Sequence, residues 1–366
     1  SRFYVEKRRR IRPGSCKKLI TQYVKLVYRK SIIVSLILIY LVIIAGAVVR
    51  MTGSGMGCPD WPKCFGYIIP PTSASELEWT PEKTYEKGQV IIVDETLRVA
   101  KTDFTTTEAF NPQNWNGYDK HDYAIFNPWH TWIEYVNRLF GALAGLAFLV
   151  MLGAAIFKER KRKRILLSIL AVFLIGFQGW IGATVVYSVL SPVRITIHMV
   201  IALLIVALLI YMLYEASVTT NKFKFDKAFK TGMLIAIVLT MLQIVLGTQV
   251  RQHIDEQVDL VGYAAKNLWL NNPEITFYIH RSFSIVVFLL NAWLFMRNRK
   301  LNLGHRSFNW VVLLILIEIA TGVLMNYFEF PFLTQPIHLV VASLLFGIQF
   351  YILLTANKKE NLKKAV

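Results

Sequence analysis

The stretch Phe277-Tyr-Ile-His280-Arg281-Ser-Phe-Ser-Ile-Val-Val-Phe-Leu-Leu290 is apolar along most of its length, yet it carries an imidazole and a guanidinium side by side. An ionisable side chain inside a membrane-length segment costs on the order of 3 kcal/mol, so such a residue marks a buried site with a partner. A partner for His280 stands in Gln335-Pro336-Ile337-His338, near the start of the last apolar run.

Outward from this pair, the chain of 366 residues is 55% hydrophobic, and several runs approach the roughly 20 residues that cross a bilayer. Eight spans are predicted, at 31–49, 131–156, 165–186, 195–214, 232–250, 276–296, 308–326 and 336–354. The expected fold class is an all-α polytopic membrane protein. A net charge of +18 would suit a nucleic-acid partner, but the basic residues fall in alternate loops, which argues against nucleic acid and for the lipid bilayer. They cluster in Lys7 to Lys18, Lys158 to Arg164, Lys222 to Lys230, Arg297 to Arg306 and Lys358 to Lys364. By the positive-inside rule both termini are cytoplasmic, and the acid-rich loop 51–129 lies outside. The first apolar run is long, with no small-residue cleavage site after it, and reads as a retained span.

The expected organisation is a basic cytoplasmic tail (1–30), an N-terminal four-helix half (31–214) holding the long outer loop, a cytoplasmic linker (215–231), a C-terminal four-helix half (232–354) and a cytoplasmic tail (355–366). The halves read as a parallel repeat. Gly46-Ala-Val-Val-Arg50 matches Gly247-Thr-Gln-Val-Arg251; Gly182 and His198 share the spacing of Gly322 and His338; Gln178 and Glu318 stand four residues before those glycines; and Asn137-Arg138 occupies the place of His280-Arg281. Two pseudo-symmetric four-helix bundles are therefore expected.

His198, His280 and His338 lie within about two turns of the outer ends of even-numbered spans, with Asn137 at a similar depth. Two histidines facing one another across a four-helix bundle can hold a haem iron. Arg50, Arg251 and Arg194 are candidate partners for haem propionates, or else snorkel to the interface. His130, Glu134, Asn137, Arg138 and Gly141 share one face of the second span. Glu134 either neutralises Arg138 or stands beside a reaction centre as a proton acceptor or donor. Cys58 and Cys64 are spaced for a local disulfide, with bracing preferred over redox exchange, and a lone cysteine pair lacks the ligands zinc requires. Cys16 faces the cytoplasm as a free thiol. His305 reads as solvated, His253 as interfacial, and His121 has no evident partner; Gly141 and Gly145 read as helix-packing positions. Residues 89–100 alternate like a hairpin within an otherwise irregular loop.

The segment Gly46-Ala-Val-Val-Arg-Met-Thr-Gly-Ser-Gly-Met-Gly-Cys-Pro-Asp-Trp-Pro-Lys-Cys64, the Glu134-Tyr-Val-Asn-Arg138 motif, Gln178 to Thr184 with His198 following, His280-Arg281 and His338 together resemble the haem A synthase family. The resemblance implies an enzyme of the bacterial cytoplasmic membrane that oxidises the C8 methyl of haem O to a formyl group, by successive hydroxylations and dehydration of the geminal diol. It implies haem B as cofactor, held by His280 and His338 with Arg251 nearby, and haem O as substrate in the N-terminal half, near His198, Asn137, Arg138 and Arg50. Glu134 would be the catalytic residue. A prenyl transferase that makes haem O, and an electron donor or acceptor, are the implied partners. The chain departs from the family pattern at Asn137, where a histidine is usual, because asparagine is a poor iron ligand. Either His198 alone binds the substrate iron or His130 moves in. A second cysteine pair found in some relatives is missing. The competing readings are a dihaem electron-transfer cytochrome b, which needs two complete ligand pairs, and a haem carrier.

Overall fold

The computed structural model describes residues 13–217 and 223–357, with side chains from residue 26 onward. The tail residues Lys7 to Arg12, the Cys16 thiol, Lys222 and the basic residues from 358 lie outside the described residues. Among the described residues, eight helices are long and apolar enough to cross a membrane. They are α1 (Pro13–Met51), α2 (Pro128–Ala154), α3 (Arg162–Tyr187), α4 (Pro192–Ala216), α5 (Lys227–Val261), α6 (Ile275–Lys300), α7 (Phe308–Tyr327) and α8 (Thr334–Ala356). The chain is a mostly helical, multi-pass membrane protein, with small strands only in the long loop between α1 and α2.

Two boundaries differ most from the sequence expectation. Helix α1 begins at Pro13, so much of the basic segment before residue 31 continues the first span as helix. Helix α5 runs past Arg251 to Val261, because Ile254 and Val258 keep an apolar stripe that packs on Trp269 and Phe330 while Glu256 and Asp259 face outward.

The starts of the helices are written locally. Asn127 accepts the Trp129 and His130 N–H groups ahead of Pro128, and Asp226 accepts the Phe229 N–H at 2.6 Å. These side chains satisfy backbone donors that a first turn leaves free. Arg297 of α6 also grips Asp226 at 2.7 Å, tying the start of α5 to the end of α6.

Helices α1 to α4 form a ring in which α1 touches α2 and α4, and α3 touches α2 and α4. Helices α5 to α8 repeat those neighbour relations, and the rings meet where α4 touches α5 and α8, and α1 touches α8. Each ring has its own packed interior: Ile32, Phe148, Met151 and Ile205 in the first, Phe229, Leu294, Phe308 and Ile352 in the second. Between them Thr196 of α4 and Thr248 of α5 share a hydrogen bond of 2.9 Å, with Gln249 donating to Thr196. These polar groups find partners inside the helix packing, as an apolar solvent favours.

The long loop between α1 and α2 is more ordered than its sequence suggests. Strands β2 (Val90–Val93) and β3 (Thr96–Ala100) form the expected hairpin, with Asp94 and Glu95 at positive φ in the turn. Strand β5 (Trp115–Gly117) joins β3, and β1 (Thr84–Tyr85) pairs with β4 (Phe104–Thr105). Tyr85, Ile91, Ala100 and Trp115 form their common core. Aromatic residues scattered outside any alternating run supply this core, which is why periodicity did not reveal β1, β4 and β5.

Candidate functional site

On each even-numbered helix one polar side chain faces a glycine of the helix before it. A Cβ built on Gly247 would lie 3.2 Å from His280 Cε1, one on Gly182 would lie 3.5 Å from His198 Cε1, and one on Gly322 would lie 3.8 Å from His338 Cε1. The fourth member is Gly46, whose Cβ would sit 3.9 Å from Asn137 Oδ1. The missing side chains leave slots for the rings, and Asn137 occupies the fourth of four equivalent slots. Gln178 donates to the His198 carbonyl at 2.9 Å, and Gln243 donates to that of His280 at the same distance. Gln243 was missed in the sequence, although it precedes Gly247 by the same four residues that separate Gln178 from Gly182.

In the second ring the histidines meet. The rings of His280 and His338 have centres 6.4 Å apart, with planes inclined by 68°. Metal–imidazole bonds of about 2 Å made from opposite sides of one ion would put the ring centres roughly 6 Å apart. Nδ1 of His338 is 2.8 Å from Thr321 Oγ1 and 3.0 Å from Glu318 Oε2, so its Nε2 is left for another partner. Nδ1 of His280 is buried and unpaired. The donor set and spacing fit a haem iron bound through two imidazoles. Arg281, beside His280, is exposed on the helix surface, whereas His280 is half-buried.

In the first ring, Asn137 Oδ1 and His198 Nδ1 are both buried without a partner. His130 does not approach this level: it stands on the first turn of α2, seven residues and roughly 10 Å along the axis from Asn137.

Glu134 and Arg138 are bound to one another and to the loop above them. Arg138 Nη2 lies 2.5 Å from Glu134 Oε1, and Glu134 Oε2 accepts the Cys58 N–H at 2.8 Å. Arg138 also donates to the carbonyls of Cys58, Asp60 and Lys63 at 2.9, 2.6 and 2.8 Å. The Cys58–Cys64 disulfide closes this loop, in keeping with a bracing role. Thr131 donates to the Gly57 carbonyl, Tyr187 to that of Trp61, and both Tyr118 and His121 reach that of Pro59. His121 therefore has a partner after all. Asp60 closes the loop from within, accepting the Phe65 and Gly66 N–H groups, while burial pushes its carboxyl above the ordinary range.

The repeated arginines converge rather than stand apart. Arg50 and Arg251 each place a guanidinium nitrogen 2.8 Å from the Asp255 carboxylate, and Arg251 also donates to the Arg50 carbonyl at 2.9 Å. Asp255, four residues beyond Arg251 on the same helix face, was missed in the sequence. Arg194 donates to the Thr184 carbonyl at 2.6 Å, closing the connection between α3 and α4.

Two further expectations are corrected. His305 is only 2% exposed, stacked between Phe223 and Phe229 with centroid distances of 4.7 and 5.0 Å. Gly141 and Gly145 have nothing within 4 Å of where a Cβ would be, so no close helix contact explains them.

Compared with known proteins, residues 29–350 match the model of the COX15-CtaA family, described as cytochrome oxidase assembly protein. The chain belongs to this family. Relatives within it include the haem A synthase of Rickettsia prowazekii, 25% identical over 341 residues that cover 86% of this chain and 93% of that protein. The haem A synthase of Ehrlichia canis is 26% identical over 338 residues, covering 86% and 89%. That of Wolbachia pipientis is 22% identical over 348 residues, covering 88% and 91%. The COX15-CtaA match begins in α1 and ends in α8, so it takes in all four glycine-faced positions and the braced loop.

Proposed function

We propose that this chain is a haem A synthase, oxidising the C8 methyl of haem O to a formyl group through successive hydroxylations and dehydration of the geminal diol. The observation that carries the proposal is the His280–His338 pair, two imidazoles from different helices with ring centres 6.4 Å apart, in a family member whose relatives bear that name. The repeated neighbour relations of α1–α4 and α5–α8 support two pseudo-symmetric bundles, one for each haem.

His280 and His338 would hold haem B, which supplies one-electron transfer when bound. Haem O would enter the N-terminal half, with His198 as the ligand to the substrate iron and Asn137 leaving the opposite face open. Glu134 would stand beside the methyl group as proton acceptor, its two oxygens held in place by the Arg138 guanidinium and the Cys58 N–H. Arg138 would act through Glu134, because its donors are spent on that carboxylate and on the loop. Arg50 and Arg251 would meet haem propionates at the Asp255 junction. The site then faces the outside of the bacterial cytoplasmic membrane, with both termini in the cytoplasm and a haem O-making prenyl transferase as membrane partner. A dihaem electron-transfer cytochrome would need a second ligand where Asn137 stands.

Expression of the full chain in cells supplied with haem O, followed by chromatographic separation of extracted haems, tests the proposal. Haem A is expected in the extract. Unchanged haem O with only haem B bound to the purified protein would overturn it.

A further inference from the structure

We infer that Glu318 is a positioning residue that orients the His338 imidazole and makes it a stronger metal donor than His198. The inference rests on the haem B reading of the α6–α8 pair. Thr321 Oγ1 is 2.9 Å from the Ile317 carbonyl and 3.1 Å from that of Glu318, to which it donates, so towards His338 the hydroxyl oxygen accepts. The Glu318 carboxyl stands beside the same nitrogen, with Oε2 3.0 Å from it, at ion-pair distance. The Thr321 acceptor, with the Glu318 carboxyl beside it, places the ring proton on Nδ1 and leaves the lone pair on Nε2. A ligating histidine whose far N–H is held by a carboxylate is fixed in orientation and made more basic.

The other histidines lack that support. Gln178 occupies the position in α3 that Glu318 occupies in α7, but it donates its Nε2 to the His198 carbonyl and carries no carboxylate, and His198 Nδ1 is buried with no partner. Gln243 does the same for His280, whose Nδ1 is also unpaired. Of the three glycine-faced histidines, only His338 has a carboxylate behind it. A more basic axial ligand favours the ferric state and lowers the reduction potential of the haem it holds. That suits a resident electron-transfer group, whereas the unsupported His198 suits a substrate that must leave.

The test uses full-length protein purified with its endogenous haem, with redox titration and electron paramagnetic resonance as readouts. Glu318→Gln, which keeps the shape and removes the carboxylate, is expected to retain low-spin haem, raise its midpoint potential and shift its g-values. Glu318→Asp is expected to restore part of that shift, and it carries the test alone if the glutamine variant does not accumulate. A wild-type midpoint and wild-type g-values in the haem-loaded variants would overturn the role of Glu318 while leaving the haem site standing. Wild-type protein that purifies without haem would overturn the haem reading itself.

Discussion

At the scale of single residues, His305 shows how burial converts an ordinary side chain into a pH-sensitive one. Its ring is stacked between Phe223 and Phe229, Nδ1 lies 3.3 Å from Thr355 Oγ1, and Nε2 has no partner. Burial pushes its pKa down to about 4, against about 6.5 for a free histidine. Between those values the unfolded chain binds the proton and the folded one does not. Stability from this group is therefore complete above pH of about 6.5 and falls as the pH drops towards 4, by up to roughly 3 kcal/mol. The expected result is a lower thermal midpoint in detergent at pH 5 than at pH 7.5, with His305→Phe keeping the stack and losing part of that difference. An equal acid loss in both proteins would contradict the assignment.

At the scale of elements, the loop from Gly57 to Gly66 is held by side chains from α2 and α3, not by secondary structure of its own. Gly57 is needed for space: a Cβ there would collide with the His130 carbonyl and come within 2.8 Å of the Thr131 nitrogen. Gly57→Ala is expected to cost about 1–3 kcal/mol, read as a fall in thermal midpoint. The same geometry gives Glu134 two duties. Glu134→Ala is expected to stop formyl production and loosen the loop while the low-spin spectrum of the second bundle persists, because none of its partners lies in α5 to α8. Normal turnover in that variant would remove Glu134 from the chemistry.

The sequence made the eight spans legible, because apolar length is written along single helices, and its fixed Gly-to-His spacing marked residues that the helices bring face to face. It left the Glu134–Arg138 pair open between mutual neutralisation and catalysis. The structure adds the backbone carbonyls of Cys58, Asp60 and Lys63, which no residue type announces. Asp255 was overlooked for a different reason: the arginines looked like ligands for something absent, and the extension of α5 that carries Asp255 read as loop.

At the scale of the whole molecule, the two rings are joined by Arg50, Asp255 and Arg251 near the end bearing the long loop, and by the Thr196–Thr248–Gln249 cluster between α4 and α5. The Asp255 side chain is 38% exposed, so its pairing with two arginines contributes on the order of 1 kcal/mol. Asp255→Ala is expected to lower the thermal midpoint slightly and to leave the spectrum of the bound haem unchanged. A lost haem in that variant would place Asp255 in the binding site rather than in the junction.

Imidazoles from α6 and α8 are proposed to share one haem iron. Optical and electron paramagnetic resonance spectra of the purified full chain test this sharing most directly, comparing wild type with His280→Ala and His338→Ala. A low-spin, two-imidazole signal is expected in the wild type, and each substitution is expected to abolish it. A low-spin signal unchanged in both variants would contradict the sharing.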